Sequence, residues 1–152
     1  MSAPVMKRLL GVDYGTARIG VAISDELQML AHPNETIIVT KTPNPVARVA
    51  AIAREKNIAR IVVGLPRHMN GDFGASAEAA RAFADKLRAL VSCDVEMWDE
   101  RLSTVAAQRA LREAGKSTRE SRAYIDQVAA QILLQSYLDS LPANQAGPES
   151  FA

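Results

Sequence analysis

The sequence predicts an α/β domain: a mixed five-stranded sheet, made of an antiparallel meander plus two crossover strands, with helices on its faces. Three observations predict it. The N-terminal part carries three short apolar or alternating runs separated by turn residues. From Pro45 onward, helical spacing alternates with two further short apolar runs. A long amphipathic stretch then closes the body. A meander followed by strand–helix–strand crossovers gives a mixed sheet that must be covered on both faces.

Each element has its own reason. Leu9–Asp13 and Ile19–Asp25 read as strands, and the intervening "YGTAR" supplies Gly15 for the turn of a hairpin. In the second run Ile19, Val21 and Ile23 alternate with Gly20, Ala22 and Ser24, so one face is bulky and the other small. "ETIIVT" makes the third strand, with His32 before Pro33 in the preceding turn. Pro45 sits in the first turn of a helix that carries Val46, Val49, Ala50 and Ala53 at helical spacing. "IARIVVGLP" is a strand stopped by Gly64 and Pro66, and the loop "RHMNGDFG" leads to a helix from Ser76 to Leu90. "DVEMW" is the fifth strand. Ser103 is an N-cap for a helix to Ala114 that ends at Gly115. The last helix, "STRESRAYIDQVAAQILLQSYLDSL", opens on a capping box from Ser117 to Glu120. The order is β-β-β-α-β-α-β-α-α.

With 152 residues, residues 1–152 form a single domain, with a core over about 8–140 and a loose tail over 142–152. A chain of this size buries roughly 70% of its unfolded surface and needs no disulfide to fold. Cys93 stands alone, which excludes an internal bridge and favours a reducing compartment. No apolar run approaches the roughly 20 residues of a membrane span, and no signal-peptide core is present, so a soluble cytoplasmic protein without membrane contact is expected.

The net charge of +1 announces no nucleic-acid partner in bulk. The distribution says more. Arg101, Arg109, Arg112, Lys116, Arg119 and Arg122 stand against only Glu113 and Glu120, while the residues after Arg122 contain no Lys or Arg. Such a segment either touches phosphates or forms a solvated helix face.

Three acids are oddly placed. Asp13 ends an apolar strand, where an aspartate either caps a turn or faces a site. In "WDER", Asp99 and Glu100 follow the apolar end of a crossover strand, at the edge where open α/β sheets collect ligands. Adjacent strand residues point to opposite faces, so only one of the two serves a given site, and periodicity does not choose. Asp126 shares a helical face with Ala129, Ala130, Leu133 and Leu134, so it points at the sheet. A buried carboxylate needs an Arg partner or a metal ion. If the three acids converge they repel, by roughly 4 kcal/mol for two charges about 4 Å apart at an effective dielectric near 20. Mg²⁺ or Mn²⁺ relieves that repulsion, since hard cations prefer carboxylate oxygens. Metals so held suit phosphodiester hydrolysis, activating a water and stabilising the leaving oxygen.

"LLGVDYGTARIGVAISD", "IVVGLPRHMNG", "WDERLST" and "IDQVAAQILLQSYL" resemble, in order and spacing, the YqgF family of the ribonuclease H-like superfamily. Its bacterial members are associated with maturing the 5′ end of pre-16S ribosomal RNA and with Holliday junction resolution. The resemblance runs from about Leu9 to Leu138. It implies a ribonuclease H-like fold and a divalent-metal-dependent nuclease, with Asp13, Glu100 and Asp126 as catalytic metal ligands. The choice of Glu100 over Asp99 comes from the resemblance alone. Related enzymes present four acids, whereas three positions are clear here. Arg18 and Arg101 flank proposed catalytic acids, and Arg67 (in the loop Arg67–Gly71) and Lys116 complete the candidate contacts to a phosphate backbone, in structured RNA or branched DNA. Arg18 and Arg101 have a second reading, as salt-bridge partners holding the acids in place. A monomer and a homodimer are both compatible with the chain.

Rival readings are weaker. "GVDYGTARIG" is similar to the phosphate-binding hairpin of actin-like ATPases, but those close a cleft between two such domains and this chain has room for one. "AGKST" has the ending of a P-loop, yet Ala110 stands where that motif needs Gly, and a helix rather than a strand precedes it. A non-catalytic nucleic-acid-binding module remains the rival from another class. His68 lies in a loop near the sheet edge and is a minor candidate for substrate contact. Trp98, Phe83 and Tyr137 are expected to fill the core, and Cys93 has no base partner in sequence.

Overall fold

The computed structural model describes residues 7–66, 74–100 and 119–144, of which 119–122 by backbone only. Its strands are β1 (Leu9–Asp13), β2 (Arg18–Ser24), β3 (Ala31–Ile38), β4 (Arg60–Leu65) and β5 (Asp94–Asp99). Its helices are α1 (Pro45–Glu55), α2 (Ala75–Leu90) and α3 (Arg119–Ser140). The strands form one mixed sheet in the order β3-β2-β1-β4-β5. β3, β2 and β1 pair antiparallel, and β4 and β5 join parallel to β1. The expected meander and two crossover strands are all present. The helix expected over Ser103–Ala114 lies outside the described residues.

Strand alternation divides the molecule into two cores. Leu10, Val12, Ile19, Val21, Ile23, Ile61, Val63 and Val95 face one side, where α1 and α2 cover them with Val49, Ile52, Phe83 and Leu87. Leu9, Ala22 and Val62 face the other side, beneath Ala130, Leu134, Tyr137 and Leu138 of α3. Pro45 occupies the first turn of α1, and the side chain of Asn44 caps it by accepting from the Ala47 amide at 3.1 Å.

The one clear departure is β3. It starts at Ala31 rather than near Glu35, so His32 and Pro33 are strand residues, opposite Ile23 and Ala22. The register shifts between Val21 and Ala22. A bulge on an edge strand tolerates a residue without an N–H, which is why proline does not stop this strand. Arg48 clamps the same strand to α1 through a two-pronged contact with Glu35 at 2.8 and 2.6 Å.

α3 is tied to the sheet at several points. Thr36 donates from its hydroxyl to the Ala123 carbonyl near the start of α3. Gln135 accepts from the Ala31 amide at 2.9 Å, and Trp98 donates from its indole to Ser136 at 3.1 Å. Near the far end, Arg60 and Glu96 meet the Tyr137 hydroxyl at 2.5 and 2.8 Å. These bonds set how far α3 slides along the sheet, and with it the position of Asp126.

Candidate active site

Asp13 is the last residue of β1 and lies on the α3 face, in step with Leu9 and opposite Gly20 of β2. It is buried, 5% exposed, at the carboxyl edge of the parallel part of the sheet. Its two strand neighbours are glycines. Gly20 pairs with it directly, and on β4 the register Val12↔Val63 brings Gly64 to the next position.

Those glycines are what admit the other two acids. A Cβ on Gly20 would collide with the backbone carbonyl of Asp126. The α3 backbone therefore rests almost on the sheet at Asp126, beside Asp13, an approach that only glycine permits. A Cβ on Gly64 would stand 2.8 Å from Oε1 of Glu100 and 3.0 Å from Leu133 of α3. Glu100 thus fills the space over Gly64 on the same face. Alternation along β5 explains why: Val95 and Met97 pack on the α1–α2 side and Trp98 on the α3 side, so Glu100 follows Trp98 and Asp99 follows Met97. Glu100 is 7% exposed and Asp126 5% exposed, whereas Asp99 is half-buried. Of the two acids that periodicity left open, Glu100 is the one over Gly64 on the α3 face.

Arg18 completes the arrangement. Its Nε donates to Oδ2 of Asp126 at 2.5 Å, with the arginine side chain 29% exposed and the aspartate 8%. The sequence offered two compensations for a buried Asp126, and the arginine partner is present. Asp13, Asp126, Arg18 and the backbone of the Tyr14–Ala17 turn line a cleft of about 320 Å³ that also touches Pro66 and Ser76. Glu100 lies one strand away from this cleft rather than on its wall.

The donor set is chemically suited to a hard divalent cation: three carboxylates on rigid elements, without thiol or imidazole. Among the described residues, however, no three Asp, Glu, His or Cys side chains stand close enough together to form a ready coordination shell. Asp126 has the guanidinium of Arg18 as a counter-charge.

The other candidates are soon placed. Arg67, His68, Arg101 and Lys116 lie outside the described residues, as does most of the basic stretch Arg101–Arg122. Phe83 and Tyr137 are buried as expected, and Trp98 packs edge-on to Tyr137 with ring centroids 5.1 Å apart. Cys93 lies just before β5, at the opposite end of that strand from Glu100, and burial pushes its thiol up, away from the thiolate form. Sequence reasoning missed Gly20 and Gly64 as parts of the site. The small face of β2 was the available signal.

The sheet order, the crossing of α3 and the acids at the ends of β1 and β5 define a ribonuclease H-like fold. RuvC from T. thermophilus, solved in complex with a Holliday junction substrate, has this fold with a TM-score of 0.51, covering 88% of this chain and 94% of that one at 13% identity. The chain belongs to the RuvX family, described as "Holliday junction resolvase", whose model matches residues 7–140. RuvX is the family that the sequence resemblance names YqgF. Relatives called "Putative pre-16S rRNA nuclease" align almost end to end. That of Symbiobacterium thermophilum is 46% identical over 95% of this chain and 99% of its own. Those of Bacillus cereus (44%; 88% and 98%) and Chloroflexus aurantiacus (45%; 90% and 89%) are similar.

Proposed function

We propose that this protein is a divalent-metal-dependent nuclease that processes the 5′ end of pre-16S ribosomal RNA in the cytoplasm. The observation that carries the reading is the placement of Asp13, Glu100 and Asp126 on one face of the sheet edge, two of them admitted by glycines beside the third. The names of relatives 44–46% identical along nearly the whole chain support the RNA substrate.

Asp13, Glu100 and Asp126 would hold Mg²⁺ or Mn²⁺, which supplies the charge that stabilises the leaving oxygen of a phosphodiester. The chain's own contribution is positional. Asp13 sits on a central strand, so its carboxylate does not move with a loop. Asp126 is held by α3 and by Arg18. Arg18 on the wall of the cleft presents N–H groups to a phosphate. Arg67, Arg101 and Lys116 would follow the backbone beyond the cleft, so binding weakens as salt is added.

A four-way DNA junction is the second substrate to test, because the family description names it. One assay separates the readings: a pre-16S 5′ fragment and a four-way junction offered side by side with Mn²⁺ or Mg²⁺, alongside an Asp13→Asn variant and a chelator control. Cutting of the RNA that needs metal and Asp13 is the expected result. Preferential cutting of the junction transfers the assignment to resolution. Binding without cutting, equal in both proteins, reduces the chain to a binding module.

A further inference from the structure

Arg18 is a cation that the described structure places directly on a proposed metal ligand. Its Nε reaches Oδ2 of Asp126 at 2.5 Å, and both side chains line the cleft that also holds Asp13. Asp126 is almost wholly shielded while Arg18 is partly open to solvent, so the arginine is the partner free to move. Its backbone is fixed in place: it opens β2, directly after a turn so tight that a Cβ on Gly15 would stand 2.5 Å from the Arg18 carbonyl. The side chain therefore swings from a stationary base.

Resting on the metal-site reading above, we propose that Arg18 is a resident counter-cation that competes with the divalent ion for Asp126. In the metal-free protein it neutralises Asp126 and stabilises the gathering of acids. When the divalent ion takes the carboxylate, the guanidinium is displaced into the cleft. There it meets the phosphodiester, for which its planar fork is well matched. The same side chain thus makes metal loading and phosphate binding interdependent: a phosphate that captures Arg18 removes the competitor, and metal and nucleic acid favour each other's binding.

This predicts an effect opposite in sign to that of a merely structural ion pair. Removing Arg18 should tighten metal binding, whereas loss of a strut that positions Asp126 would weaken it. The test is calorimetric titration of full-length protein with Mn²⁺, for wild type, Arg18→Gln, Arg18→Lys and Asp13→Asn, with folding checked by far-UV circular dichroism. Arg18→Gln should bind Mn²⁺ roughly tenfold more tightly (about 1.4 kcal/mol by RT ln 10). It should bind a phosphodiester oligonucleotide more weakly. Arg18→Lys, which keeps a charge but loses the fork, should fall between and remains informative if Arg18→Gln does not fold. Asp13→Asn should lose most Mn²⁺ binding, which locates the ion. Unchanged or weaker Mn²⁺ binding in folded Arg18→Gln or Arg18→Lys, with Asp13→Asn still defective, overturns the competition alone. Wild-type Mn²⁺ binding by Asp13→Asn overturns the metal site itself, and the competition with it.

Discussion

The two faces of the sheet are made by the same strands and are built to opposite rules. Towards α1 and α2 the strands present Leu10, Val12, Ile19, Val21, Ile61 and Val63, a continuous branched aliphatic layer. Towards α3 they present Gly20, Ala22, Ser24, Gly64 and Asp13, with Leu9 and Val62 among them. The first face is optimised for burial. The second gives up apolar volume so that a helix backbone and two further carboxylates can come down beside Asp13. The lesson is that the small residues on the α3 face let α3 and the three acids of the proposed site come close to the sheet, and are not weak places in the core.

Breaking either face should therefore produce different damage. The largest expected effect belongs to Asp13→Asn: cleavage falls by roughly 100-fold or more, the scale on which one preorganised electrostatic contact acts. Next is Gly20→Val, whose side chain meets the Asp126 backbone rather than a yielding side chain. It should cost about 3 kcal/mol or more in urea unfolding and abolish cleavage together, since α3 must lift. Leu87→Ala sharpens the contrast from the other face. The residue is fully buried, so truncation costs about 2–5 kcal/mol. Yet cleavage per folded molecule should be close to wild type.

A milder test is Trp98→Phe, which removes the indole donor to Ser136 at 3.1 Å while keeping an aromatic ring against Tyr137. About 1 kcal/mol of stability should go, read from chemical denaturation. The smallest effect concerns pH. Burial, reinforced by Glu96, pushes the Tyr137 phenol up. A raised folded value means the neutral phenol is favoured in the native state. Its contribution is present below about pH 10 and fades as pH rises through the folded value. Tyr137→Phe should flatten the alkaline fall in Tm above pH 10, best measured in a Cys93→Ala background because burial raises that thiol as well.

Much of this was legible in order of residues alone, and the reason is periodicity. The alternation of Ile19, Val21 and Ile23 with Gly20, Ala22 and Ser24 names both faces of β2 before any neighbour is known. The apolar stripe around Asp126 turns that acid towards the sheet. β3 was less legible because Pro33 mimics a turn, and only pairing with β2 across a bulge makes it a strand. Asp99 and Glu100 could not be separated by local pattern, since the decision depends on which face Met97 and Trp98 occupy. The partner of Asp126 is 108 residues away in the chain, beyond the reach of any local rule.

By itself, then, the sequence determined the element order, the two faces of each strand, and the presence of acids where burial makes them costly. These follow from the fixed repeats of strand and helix and from the free energy of burying charge. Tertiary structure alone decided which acid of the pair faces α3, how closely Asp126 approaches Asp13, and that Arg18 rather than bulk solvent balances its charge. Those depend on contacts between elements distant in the chain, set by the glycines of the sheet, Gly11, Gly20 and Gly64, that let a helix rest on it.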